Sequence, residues 1–237
     1  MSEPKKTSGN WQPAKGPAIN APPVVLVLIG VLVAVHVALQ FGGDSWQNFT
    51  VQYFSLIPAR FTKPGFSMLP GSQIWSLLSY GFLHADWMHL LFNCLWLLVF
   101  GTPAARYLGT ARFLLLCAVA TVVGGLASLM LHWGQVVFVL GASAAVSGLL
   151  AAAIPIMYGR LVPGGWRPLS LRELLRDRRA LMFMGIWLVV TLASGATGWT
   201  GNSFLTESGI AWEAHLGGFL GGIAGFYALA QRTVQAK

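Results

Sequence analysis

The sequence predicts an all-α bundle of six membrane-spanning helices, and three observations carry that prediction. Its 237 residues are 55% hydrophobic and only 9% charged, against about 25% charged residues in a soluble domain. Six stretches, Pro23–Phe41, 81–100, 111–131, 142–158, 180–198 and 210–230, approach the roughly 20 apolar residues that cross a hydrocarbon core. Placing the N-terminus inside puts 13 of the 15 Lys and Arg on one side of the membrane, the asymmetry that cytoplasmic loops carry.

Taken in order, residues 1–22 form a polar basic tail with Lys5, Lys6 and Lys15. The first apolar stretch lies behind that tail and no small-residue cleavage site follows it, so it reads as a span and not as a signal peptide. A long first loop, 42–80, is broken by Pro58, Lys63-Pro64-Gly65 and Pro70-Gly71 and is expected to be irregular with interfacial helices. Spans two to six complete a membrane domain over 23–230, and 231–237 form a short cytoplasmic tail. The inner set is Lys5, Lys6, Lys15, Arg106, Arg112, Arg160, Arg167, Arg172, Arg176, Arg178, Arg179, Arg232 and Lys237; Arg60 and Lys63 lie outside. Both termini are therefore expected in the cytoplasm. The net charge of +8 reads as a topology signal and not as a nucleic-acid surface. The composition excludes intrinsic disorder, a collagenous fibre and a disulfide-stapled module. Cys94 and Cys117 sit inside apolar runs and read as packing residues.

Polar groups within a bilayer are costly, so their positions point to function. Span two opens FLHADWMHLLFNCLW, with His89 and Asn93 at i and i+4 on one face and His84 nearer the loop. Span four opens GASAAVSGL, with Ser143 in its first turn, and span six opens AWEAHLGGFLGG, with His215 about one turn in. These three spans all run from outside to inside, so their starts share one depth near the outer face. His89, Asn93, Ser143 and His215 converge there. A helix start adds free N–H groups and positive potential beside Ser143.

Glycines sharpen the convergence. His215, Gly218 and Gly222 share one face of span six, and Gly217, Gly221 and Gly225 form a neighbouring stripe of small residues. Ala144, Ser147, Gly148, Ala151 and Ala152 are the matching surface on span four. Packing the two together draws His215 toward Ser143 Oγ, the pairing of base and nucleophile. Read singly, Ser143 is a packing residue at a helix start, His215 a buried satisfied histidine, and His89 and Asn93 interhelical hydrogen-bonding groups. Their common depth is what separates a site from four unrelated residues.

HADWMHLLFN, GASAAVSGL and AHLGGFLGG, in that order and at those ends of spans two, four and six, resemble the motifs of the rhomboid intramembrane serine proteases in their bacterial six-span form. The likeness covers roughly 73–227. It implies a serine endopeptidase cutting at the outer end of substrate transmembrane helices, with Ser143 as nucleophile and His215 as general base. It further implies an oxyanion site made by His89, Asn93 and the Ser143 backbone N–H, with His84, Gly141, Ala144 and Gly218 as structural residues around them. Partners would be transmembrane protein substrates and membrane lipid. The location would be a bacterial inner membrane with the site open to the periplasm. No cofactor or metal is implied, and the sequence carries no phosphate loop or evident ligand set.

Three positions depart from the family pattern. Ala144 stands where glycine is usual, which is expected to crowd the contact of spans four and six, with Ser147 and the glycines of span six as compensation. Ser147 stands where an aromatic ring is common. Trp75-Ser76 replaces Trp-Arg in the first loop, so a loop-anchoring interaction is expected to be missing. Ala144 and Ser147 also support an alternative, a catalytically weak or silent relative that binds or escorts membrane proteins. Five histidines raise haem or metal ligation as a third class, although they cluster near one face and not at mid-depth. His36 and His132 read as structural or interfacial. Glu213, two residues from His215, faces another side of its helix, and Asp86 can orient His89 only within a helical turn. Thr197 to Gly209 is the candidate substrate gate.

Overall fold

A computed structural model describes residues 20–63, 69–163, 165–199 and 211–234. Helix α1 (Pro23–Phe41) starts on Pro23 at its first position, where the missing N–H costs nothing. Val25, Leu32, His36 and Leu39 are its buried residues, facing α4 (Trp87–Leu108). Span two begins later than the expected residue 81, because Asp86 caps the helix by accepting the His89 N–H at 2.7 Å. Residues 80–82 instead form a 3-10 turn, and the helix continues through Pro103 to Leu108. Gly109, at φ +75°, turns the chain into α5 (Thr110–Leu131).

Helix α6 (Ser143–Met157) is the centre of the bundle, touched by α4, α5, α8 (Arg178–Trp199) and α9 (Trp212–Val234). Every residue from Val146 to Ile156 is buried. At 15 residues it rises about 22 Å, less than the roughly 30 Å of a hydrocarbon core, so one or both of its ends lie below the membrane surface. By length and composition α1, α4, α5 and the Arg178–Gly195 part of α8 are each able to cross a membrane. Many of the exposed large apolar residues are on these four helices, a surface suited to lipid.

Packing of α9 follows its glycines. A methyl group on Gly218 would overlap the Ala144 carbonyl, and one on Gly222 would overlap the Gly148 backbone, so α6 and α9 meet backbone to backbone at two levels. The second stripe, Gly217, Gly221 and Gly225, faces Val123, Gly124, Ala127, Leu116 and Val119 of α5. The two small faces of α9 therefore serve two different partners. Trp187 on α8 stacks on Phe219 at 4.4 Å between ring centres.

At the Met157 end of α6 a hairpin of β1 (Arg160–Val162) and β2 (Gly165–Arg167) is followed by α7 (Leu171–Leu174). Arg167 grips Glu173 through both guanidinium arms at 2.7 and 2.9 Å, and Ser170 completes a capping box. That grip holds the Glu173 carboxyl well below the usual carboxylate range. On the same side Arg106, in the last turn of α4, donates to the Asn20 carbonyl ahead of α1. The loop arginines and the start of α1 thus share one end of the bundle.

The long first loop is more ordered than its prolines suggest, folding into α2 (Gly43–Phe54), a 3-10 turn (Pro58–Phe61) and α3 (Ser72–Ser79). Leu56 and Val139 exchange backbone hydrogen bonds of 3.0 and 2.9 Å, and the Ala59 N–H donates to Gln135, which knits this loop to the α5–α6 connection. The anchoring interaction expected to be missing at Trp75-Ser76 is supplied from elsewhere. Trp75 Nε1 donates to the Tyr53 carbonyl at 2.9 Å, and the buried Arg60 guanidinium donates to the carbonyls of Ser55, at 3.2 Å, and Gln52. An arginine from another part of the loop provides an anchor by a different path. Arg60→Met removes the donors of two carbonyls and is expected to lower stability by about 1 to 3 kcal/mol, read as a drop in thermal unfolding temperature in detergent. An unchanged temperature would show that Arg60 anchors nothing.

Candidate active site

Ser143 is the first residue of α6, half-buried, with Ala142 before it in helical conformation. The approach to it is suspended from the turn ahead of α4. The Gly141 N–H donates to the Tyr80 carbonyl at 3.0 Å, and the Ala142 N–H donates to His84 Nε2 at 3.4 Å. Accepting at Nε2 requires a neutral His84 ring carrying its hydrogen on Nδ1. The geometry gives His84 a support role under the Ser143 loop.

Gly141 has φ +125°, a conformation that disfavours a side chain, and its surroundings leave no room for one. A methyl group there would lie 2.7 Å from His89 Nε2 and 3.6 Å from Ser143 Oγ. His89 Nε2 and Ser143 Oγ therefore flank one point, with the α6 start beside them. His89 is in the first turn of α4 and its ring stands 5.1 Å, centre to centre, from that of His84. Asp86 spends its carboxylate on the His89 backbone N–H and so fixes the helix start; no bond from it to the ring is formed. Asn93, one turn on and 4% exposed, donates one amide hydrogen to the His89 carbonyl at 2.9 Å, leaving its second for another acceptor.

His215 is carried to the same end of the bundle by the α6–α9 contact. Gly218, three residues on, lies on Ala144, the residue after Ser143. Ser143, His215, His89 and Asn93, expected to share one depth, lie at the starts of three neighbouring helices. Among the described residues no three His, Cys, Asp or Glu side chains are grouped so as to hold a metal ion. The gate assigned to Thr197 to Gly209 lies mostly outside the described residues.

Ala144 requires a correction. Its backbone forms the contact with Gly218, but its methyl group points elsewhere, to within 2.6 Å of where a Gly124 side chain would begin. It sits in a small apolar cluster with Leu56, Tyr80, Val139 and Ala214. The room for the Ala144 methyl group comes from Gly124 on α5, while Gly218 on α9 leaves room for the Ala144 backbone. Gly124-Gly125 is visible in the sequence as an adjacent pair inside an apolar span, a signal that reading the motif helices alone passes over.

Together these features define an integral membrane protein in which Ser143 and His215 stand in the first turns of two helices packed on each other. A family model of the rhomboid domain matches residues 71–232, and the chain belongs to the rhomboid family. Among relatives, Rhomboid protease GlpG of Serratia proteamaculans is 26% identical over 177 residues, 72% of this chain and 53% of that protein. GlpG of Yersinia pestis matches with the same identity and coverage. Putative rhomboid protease YdcA of Bacillus subtilis is 28% identical over 178 residues, 75% of this chain and 78% of that protein. The chain spans about half the length of the GlpG relatives. Gly141→Ala is expected to push the His89 ring aside and destabilise the protein by about 1 to 3 kcal/mol, measured by thermal unfolding. Wild-type stability in that variant would show that the approach to Ser143 is loosely held.

Proposed function

We propose that this chain is an intramembrane serine endopeptidase that cleaves substrate transmembrane helices at their outer ends with a Ser143–His215 dyad. The observation that carries the reading is the shared point between His89 Nε2 and Ser143 Oγ beside Gly141, at a helix start whose N–H groups carry positive potential. Family membership and relatives named as proteases support it.

In this mechanism His215 takes the Ser143 Oγ proton as Oγ attacks the scissile carbonyl. The negative oxygen that forms is met by the Ser143 backbone N–H, His89 and the free Asn93 amide hydrogen. His215 then returns the proton to the leaving amine, and a water entering from the outer side hydrolyses the acyl-enzyme. Water must reach a group below the membrane surface, which suits a site at the start of a short helix and not in the bilayer core. The scissile segment has to unwind to offer its carbonyl, so helices with small or helix-breaking residues near the outer face are the expected substrates, with lipid as the surrounding partner. The escort alternative loses the support of Ala144, whose methyl group has a place against Gly124.

Ser143→Ala and His215→Ala are each expected to abolish cleavage of a reporter transmembrane helix while the protein still inserts and folds, because dyad members act as a unit. Near wild-type turnover by either variant sinks the dyad. Asn93→Ala should retain a weak rate, since one oxyanion donor is worth about 10² to 10³ in rate.

The bundle end carrying Arg106, Arg167 and α7 is assigned to the cytoplasm and the Ser143 end to the periplasm of a bacterial inner membrane. Single cysteines at Gln47 and Gln73 should then react with an impermeant maleimide in cells with a permeabilised outer membrane, and one at Ser170 should not. The reverse labelling pattern would turn the site to the cytoplasm.

A further inference from the structure

A second group of buried polar side chains lies beside the dyad, centred on Glu213 in the first turn of α9. Glu213 is 6% exposed. Its Oε1 accepts the Ser128 hydroxyl at 2.7 Å and lies 3.3 Å from His132 Nε2. His132 Nδ1 in turn is 3.3 Å from Gln135 Oε1. A carboxylate taken out of water is costly unless fully partnered, and the partners here sit on a different helix, α5. Charge placement is favourable at both ends. A carboxylate occupies the start of α9, and an imidazole occupies the residue that ends α5, each where the local helix dipole stabilises it.

Below this group Gly217 of α9 lies on Ala127 and Gly124 of α5, Gly221 on Val123, and Gly225 on Leu116 and Val119. Glycine contacts set how closely two helices approach. A glycine itself offers no polar or directional group to set the height or rotation of the helix that carries it. Glu213 supplies directional bonds at the end of α9 that carries His215. At 100° per residue the two side chains lie on different sides of the helix, so rotation released at one is delivered to the other. A turn of about 20° moves a side-chain tip by about 2 Å, and misplacement by about 1 Å can cost about 10² in rate.

We propose that Glu213 is a positioning residue, whose buried carboxylate bridges Ser128 and His132 on α5, fixes the height and rotation of α9, and so holds His215 beside Ser143. The inference rests on the dyad reading for its catalytic consequence, while the bridge itself does not. Two variants of the full chain in proteoliposomes test it, Glu213→Gln, which keeps an acceptor for Ser128 and removes the charge facing His132, and His132→Gln at the partly exposed end. Backbone amide exchange at Ala214 to Leu216 should quicken about tenfold in each, and kcat on a transmembrane reporter should fall about tenfold with KM within about twofold. Unchanged exchange in both variants overturns the bridge. Faster exchange with an unchanged kcat, or a raised KM at constant kcat, overturns the positioning role. If Glu213→Gln does not fold, His132→Gln decides alone. A wild-type protein without turnover removes the dyad reading, and the exchange measurement then still judges the bridge.

Discussion

The structure depends on one contact, the backbone-to-backbone seat of α9 on α6. Gly218 lies on Ala144 and Gly222 on Gly148, each so close that a single methyl group would overlap main-chain atoms. Lipid tails are as apolar as leucine, so burying apolar area gives little drive to bring helices together within a bilayer. Close van der Waals approach of small residues supplies it. The same contact draws the start of α9, which carries His215, to the start of α6, which carries Ser143.

Each neighbour of that seat has its own adaptation. On the α5 side, Gly217 and Gly221 face Val123, Gly124 and Ala127, and Gly124 also leaves room for the Ala144 methyl group. Helix α5 is thus a template against which the starts of both α6 and α9 are set. At the Ser143 end of the bundle, the chain before Ser143 hangs on Tyr80 and His84, and Leu56 pairs with Val139. The long first loop therefore acts as a brace for the α5–α6 connection.

The buried polar groups divide by what they hold. Asp86 caps α4, Arg60 holds loop carbonyls, and Glu213 bridges two helix ends. None of these charges carries out a step of the proposed reaction. Each is placed where a backbone carbonyl, an N–H or a helix terminus has no other partner. Asp86 and Arg60 are partnered by backbone atoms and Glu213 by side chains at the end of another helix, so a charge near a site is not by itself a catalytic group.

The amino-acid sequence alone determined the class, the approximate positions of the apolar helices, and the early helical turns in which Ser143, His215, His89 and Asn93 are found. Those features follow from composition, from the length of apolar runs, and from depth, which a linear pattern records directly. The motif set placed the chain near its family for the same reason, because each motif lies within one helix. What only the tertiary structure decided involves partners far apart in the chain. The space for Ala144 is provided by Gly124, the loop anchor beside Trp75 by Arg60, and the partners of Glu213 by Ser128 and His132. Helical periodicity tells which residues share a face of one helix, but not which neighbour that face will meet. That choice belongs to the packing of α9 between α5 and α6, where two adjacent stripes of glycine lie against two different helices.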